Sequence, residues 1–136
     1  MSVDILDKKI TFDVKGFFQS NVAMLEKTIE IIKKDFGGQH LLDMYAGVGT
    51  FSTFLSENFT KTTLVEHNRD AISLAEINLH GKNHESYGVS GEKWVNEYSD
   101  KIKTEFDGVV IDPPRSGMEK SVLKWLCLSN IPSIRS

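Results

Sequence analysis

The sequence predicts an α/β domain: a doubly wound, mostly parallel sheet that is incomplete at its C-terminal end. Three observations carry this. Apolar runs of strand length alternate with stretches of helical periodicity along the chain. The first convincing strand, His40 to Tyr45, runs straight into the turn AGVGTF. A later run, Phe106 to Ile111, reads as a buried strand that ends in Asp112-Pro113-Pro114. Strands alternating with helices imply right-handed crossovers and a parallel sheet covered on both faces.

Taken in order, Ile10 to Val14 alternates apolar and polar residues and predicts a short strand. Ser20 or Asn21 can cap a helix on which Val22, Leu25, Ile29, Ile32 and Phe36 share a face, with Gly37-Gly38 as its stop. After the strand at His40 comes a helix over Phe51 to Phe59, then a β-rich run from Thr62 to Val65 ending in Glu66. Asn68 can cap the next helix, through Ala71, Leu74, Ala75, Asn78 and Leu79, which Gly81 stops. A weaker strand at Tyr87 to Val89 and a helix around Lys93 to Tyr98 lead to the strand before Asp112. Met118 to Leu128 predicts a last helix, and Ile131 to Ile134 a strand that barely begins before Ser136. The 136 residues thus form one domain, with residues 1–20 as a strand and loop lead-in, and the abrupt end at Ser136 predicts a fragment of a longer protein.

Composition sets bounds on function. Hydrophobic residues make up 40% and charged residues 26%, enough for a single buried core. The net charge of −3 gives no global basic field for nucleic acid. The one cysteine, Cys127, allows no internal disulfide and no thiolate metal cage, and His40, His67, His80 and His84 lack metal-ligand spacing. The N-terminus MSVDILDKK has no apolar signal region, and no run is long enough to span a membrane. These features predict a cytoplasmic protein without a metal. A sheet cut off at its last strands would leave an open edge, so self-association is expected.

The turn LLDMYAGVGTF carries the first binding signal. Gly47 and Gly49 let the backbone turn sharply and let a ligand approach closely. Glu66 ends the next strand, near the spacing at which an acid grips ribose hydroxyls in such folds. A dinucleotide fingerprint would place a third glycine at position 52, where Ser52 stands. Asp43, just ahead of the loop, makes an anionic ligand less comfortable. A cofactor with a ribose but no phosphate fits better, and S-adenosylmethionine is one. In IDPPRSGM, each proline fixes its own φ and pushes the residue before it toward extended geometry. The result is a stiff ledge that holds Asp112 at a strand's carboxyl end, the edge where open parallel sheets bind ligands.

FFQSN (Phe17 to Asn21), LLDMYAGVGTFS (Leu41 to Ser52), VEHNRDAI (Val65 to Ile72) and DPPRSGM (Asp112 to Met118), in this order and spacing, resemble the RNA uracil-5-methyltransferases. The resemblance covers nearly the whole chain. It implies a Rossmann-like core that binds S-adenosylmethionine and an RNA substrate, tRNA or rRNA, methylated at C5 of a uridine. By the same resemblance Gln19, Tyr45, Gly47, Gly49, Thr50, Glu66 and Asp112 hold the cofactor, with Asp112 at the cusp between cofactor and target base. Thr50 stands where relatives often carry asparagine, and Arg115 faces RNA phosphate or pairs with a nearby acid.

The family's chemistry adds a cysteine thiolate to C6 of the uracil, so that C5 can attack the sulfonium methyl group. A glutamate then removes the C5 proton as the thiolate leaves C6, which restores the C5–C6 double bond and releases the enzyme. In the family that cysteine follows the next strand, and IPSIRS resembles the approach to it. The resemblance therefore implies that the nucleophilic cysteine and the base glutamate lie beyond Ser136, and that no residue of this chain is catalytic. Cys127 lies instead on the preceding helix, in the apolar pattern Val122, Leu123, Leu126 and Leu128, and is expected to be core or semi-buried. Trp94 and Trp125 are expected in the core. Two rivals remain. One is a non-catalytic S-adenosylmethionine-binding or interaction module. The other is a nicotinamide-dependent oxidoreductase, which Ser52 and the DPPR ledge disfavour.

Overall fold

The computed structural model describes residues 2–6, 8–11, 22–102, 106–112, 117–128 and 133–135. Strands β3 (Gly38–Met44), β4 (Phe59–Val65), β5 (His84–Tyr87), β6 (Gly108–Ile111) and β7 (Ser133–Arg135) form one sheet in the order β5-β4-β3-β6-β7, with every neighbouring pair parallel. Helices α1 (Val22–Lys33), α2 (Thr50–Leu55), α3 (Arg69–Asn78), α4 (Gly91–Ile102) and α5 (Lys120–Leu128) connect them. The doubly wound, mostly parallel architecture read from the sequence is the one observed. A separate antiparallel hairpin, β1 (Ser2–Ile5) with β2 (Lys8–Thr11), precedes it. Only the second of those strands overlaps the predicted Ile10 to Val14, and residues 12–14 lie outside the described residues. At the other end, the strand expected at Ile131 to Ile134 is β7, which pairs with β6 from Ser133 to Arg135. Ser136, the residue beyond which the catalytic cysteine and glutamate are expected, lies outside the described residues.

The central strands show why their sequences do not alternate. From His40 onward β3 is buried at every position, and so is all of β6, because helices cover both faces. On one face Trp94 and Val95 of α4 and Val122, Trp125 and Leu126 of α5 pack on Leu42, Met44, Val109 and Ile111. On the other, Ile32, Phe36, Leu55 and Phe59 close over Leu41 and Val110. Trp94 and Trp125 meet edge to face, centroids 5.4 Å apart at 88°, which confirms both as core residues. Gly108 opens β6 because Phe36 lies against it: a Cβ there would stand 2.5 Å from a Phe36 ring carbon.

Several boundaries differ from expectation for identifiable reasons. Asp35, not Gly37, takes the left-handed conformation after α1 (φ 56°). Gly37 is small for another reason, since a Cβ there would stand 2.9 Å from the Asn58 carbonyl oxygen. α2 stops at Leu55 because Phe59 already begins β4, paired with Gly38. β5 begins at His84, earlier than Tyr87. Polar side chains hold this edge strand, so it lacks an apolar signature. Ser86 donates to one Glu76 carboxylate oxygen, and His84 Nε2 meets the other at 2.8 Å. His84 Nδ1 faces the Lys82 carbonyl at 2.8 Å, so both ring nitrogens have acceptors. Burial disfavours the imidazolium, but the Lys82 carbonyl and the Glu76 carboxylate outweigh it and raise the His84 pKa. Asn68 caps α3 as predicted, its side-chain oxygen accepting from the Ala71 N–H at 3.1 Å.

Candidate functional site

The sheet order places a topological switch point between β3 and β6. From β3 the chain winds to β4 and β5 on one side, then returns to β6 on the other. In open α/β sheets ligands bind in the crevice outside the strand ends at that point. Here β3 delivers the loop from Tyr45 to Gly49, and β6 delivers Asp112, whose N–H still points at the Met44 carbonyl (3.5 Å). Tyr45, Glu66, His67, Ser90, Asp112, Gly117 and Glu119 line a pocket of about 380 Å³ at this edge. That volume lies within the usual range for small-molecule and cofactor sites.

The structure brings three of the expected residues, Tyr45, Glu66 and Asp112, to this one pocket. The two glycines divide their roles. Gly47 (φ 59°) has nothing within 4 Å of where a Cβ would sit, so its outer side is open to a ligand. Gly49 (φ 77°) is buried, and a Cβ there would press on Ala75 and Leu64 at 3.2 and 3.3 Å. Its small size serves helix packing rather than ligand approach. Thr50 begins α2 and does not line the pocket. Gln19 and Arg115, with the two prolines of the ledge, lie outside the described residues.

Glu66 is a fixed acceptor. Its Oε1 takes the Gly47 N–H at 2.9 Å and its Oε2 the Asn68 N–H at 2.8 Å, locking the glycine loop to the start of α3. Oε1 keeps a second lone pair for a ligand hydroxyl, while Oε2 also lies 3.5 Å from His67 Nδ1. Asp112 is exposed as a residue, yet partial desolvation of its carboxyl raises its pKa above the ordinary carboxylate value. Tyr45 holds a left-handed backbone (φ 61°), uncommon for a residue other than glycine. Its hydroxyl donates to Glu119 at 3.4 Å, and burial, with the Glu119 charge adding, raises the phenol pKa.

Glu119 escaped the sequence reading. It stands one residue before α5, and its two oxygens also accept the Glu92 N–H at 3.3 Å, closing the first turn of α4. Ser90, also in the pocket wall, accepts from the Lys93 N–H at 3.1 Å. No local signal marks Glu119, because its partners are 27 and 74 residues away.

Two expectations need correction. Asp43 does not face the ligand: it is 1% exposed, beneath the loop, and its Oδ2 accepts from the Ser52 hydroxyl at 2.5 Å. Burial pushes its carboxyl up to about 7; the Ser52 hydrogen bond opposes this, and the negative Asp112 and Glu66 add to it. Ser52 replaces the third glycine because it serves this acid. Cys127 is exposed rather than core or semi-buried. On α5 the buried stripe is Val122, Trp125 and Leu126, which turns Leu123, Cys127 and Leu128 outward. Among the described residues, no group of His, Cys, Asp and Glu could hold a metal ion, and no helix is long and apolar enough to cross a membrane.

The chain is similar to known proteins in sequence and in fold. An uncharacterized RNA methyltransferase of Treponema denticola is 36% identical, the match covering 97% of this chain and 36% of the relative. A tRNA (uracil(54)-C(5))-methyltransferase of Pyrococcus furiosus is 33% identical over 82% of this chain and 26% of its own length. The crystal structure of the Pyrococcus abyssi tRNA (uracil-54, C5)-methyltransferase, in complex with S-adenosyl-L-homocysteine, superimposes with a TM-score of 0.80 at 25% identity. The match covers 98% of this chain and 33% of that one. The chain therefore spans about a third of the length of these relatives. They bear out the resemblance to RNA uracil-5-methyltransferases and the Rossmann-like fold. The family described as "Conserved hypothetical protein 95" matches residues 21–131, most of the chain, and the protein belongs to that family.

Proposed function

We propose that this chain is the S-adenosylmethionine-binding core of an RNA uracil-5-methyltransferase acting on tRNA or rRNA. Residues 1–136 form one methyltransferase domain, with residues 1–20 as its lead-in. The observation that carries the reading is the convergence of Glu66, Asp112 and Glu119 beside Tyr45 at the switch point of the sheet, with the Gly47 N–H held by Glu66. An acidic pocket suits a ligand with a sulfonium and an ammonium, and disfavours a pyrophosphate. When bound, the cofactor supplies an electrophilic methyl group. The protein's own part is to orient it. In this reading Glu66 offers lone pairs to ribose hydroxyls, Tyr45 forms a wall tied to Glu119, and Asp112 lies between cofactor and base. Thr50, Gly49 and Gln19 complete the cofactor set in this reading, with Gly49 acting through packing. The nucleophilic cysteine and the base glutamate belong, in the same reading, to sequence after Ser136.

One observation favours the rival, a binding module that is not itself catalytic. The only cysteine is misplaced for the chemistry. α5 starts beside the pocket-lining Glu119, and Cys127 lies seven residues past Lys120. That is about 10 Å farther along the axis at the helical rise, on the outward face. This chain alone is therefore expected to transfer no methyl group to RNA. The check is an assay with labelled S-adenosylmethionine and unmodified tRNA and rRNA, comparing this chain with Cys127→Ser. Transfer that disappears in Cys127→Ser would place the nucleophile on α5 and overturn the assignment.

A further inference from the structure

Asn78, the last residue of α3, makes hydrogen bonds that the cofactor pocket does not explain. Its Oδ1 accepts the Thr11 N–H at 2.7 Å. Its Nδ2 donates to the Thr11 carbonyl at 2.9 Å and to the Val48 carbonyl at 2.8 Å. One N–H and two carbonyls face this amide, so only one orientation of it satisfies all three. Thr11 ends the N-terminal hairpin, and Val48 lies between the two loop glycines. The contact has an apolar counterpart: Ile10, 1% exposed, clusters with Ile29 and Phe54, and Val48 packs against that cluster. The loop is thus held at adjacent residues from both ends of α3. Glu66, just ahead of the helix, grips the Gly47 N–H, and Asn78 at its end grips the Val48 carbonyl.

We propose that Asn78 is a positioning residue for the cofactor site, fixing the glycine loop to the N-terminal hairpin so that the open side of Gly47 is presented to the ligand. The inference rests on the S-adenosylmethionine reading of the pocket. It adds that affinity at the pocket depends on a hairpin that does not line it.

The test compares the wild type with Asn78→Ala, Asn78→Asp and Thr11→Pro. S-adenosylhomocysteine affinity is measured by calorimetry, and exchange of the Gly49 amide, bonded to the Ala46 carbonyl at 3.0 Å, is measured without ligand. Asn78→Asp still accepts from the Thr11 N–H but offers no donor to the Val48 carbonyl or the Thr11 carbonyl, so it releases the loop while keeping one bond to the hairpin. Thr11→Pro removes one donor and leaves Asn78 in place. Asn78→Ala and Asn78→Asp are each expected to weaken binding at least about tenfold and to speed Gly49 exchange. Thr11→Pro should weaken binding less, and should add nothing to Asn78→Ala. Folded Asn78 variants with affinity within about twofold of wild type and unchanged Gly49 exchange would overturn the proposal. If both Asn78 variants fail to fold, unaltered affinity in Thr11→Pro overturns it. A wild type that does not bind would sink the cofactor reading itself, and the exchange measurement would still decide whether Asn78 fixes the loop.

Discussion

Trp94→Ala is expected to destabilise the protein by about 3–5 kcal/mol, the cost of emptying a large aromatic site that cannot collapse. Trp94 is 0% exposed. It packs edge to face on Trp125 and lies 6.0 Å from Phe106 and 6.4 Å from Tyr87, centroid to centroid, so it joins α4 to α5 and to the sheet. Domains of this size are stable by only about 5–15 kcal/mol, so the loss would take a large share of the total. Urea denaturation should show a lower midpoint at unchanged slope. A loss below about 1 kcal/mol would mean that the site repacks and that the ring cluster is not the core's centre.

Asp43→Asn is expected to stabilise the protein in mildly alkaline solution and to do little in acid. The carboxyl of Asp43 is pushed up to about 7 by burial, against 3.8 in the unfolded chain. Between those values the native state holds a proton that the unfolded chain has released. Stability from this group is therefore greatest below the unfolded value, falls as pH rises through the window, and stays low above it. About three pH units correspond to at most ~4 kcal/mol. The Asn side chain can still accept from Ser52 and carries no charge to desolvate. Its stability advantage should be absent at about pH 4 and full at about pH 8, as read by thermal or urea unfolding across that range. An advantage independent of pH would show that Asp43 does not titrate in the native protein.

Much of this site is legible in the sequence because its signals are local. Gly47 followed by a helix, the acid at the end of β4 and the Asn68 cap each lie within a few residues of the structure they specify. The alternation of strands and helices gives the doubly wound sheet for the same reason. What stays hidden is set by distant partners. Glu119 belongs to the site because Tyr45 and the start of α4 reach it in space. The two glycines look equivalent in the sequence, yet one faces open space and the other faces Ala75 and Leu64. Cys127 reads as core because its neighbours in sequence are apolar, but the helical phase set by Trp125 turns it outward. β5 escapes its true position because its polar side chains are held by one acid of α3, Glu76.

The pocket between β3 and β6 is proposed as an S-adenosylmethionine site with Glu66 as its ribose acceptor. The most direct measurement is calorimetric titration of wild type and Glu66→Ala with S-adenosylhomocysteine, and in parallel with NAD. Saturable one-to-one binding of S-adenosylhomocysteine is expected, and none of NAD. Glu66→Ala should weaken binding by about 1–3 kcal/mol, roughly 5- to 150-fold, because ligand hydroxyls lose their acceptor and Gly47 loses its anchor. Equal affinity in wild type and Glu66→Ala, or binding of NAD in place of S-adenosylhomocysteine, would contradict it.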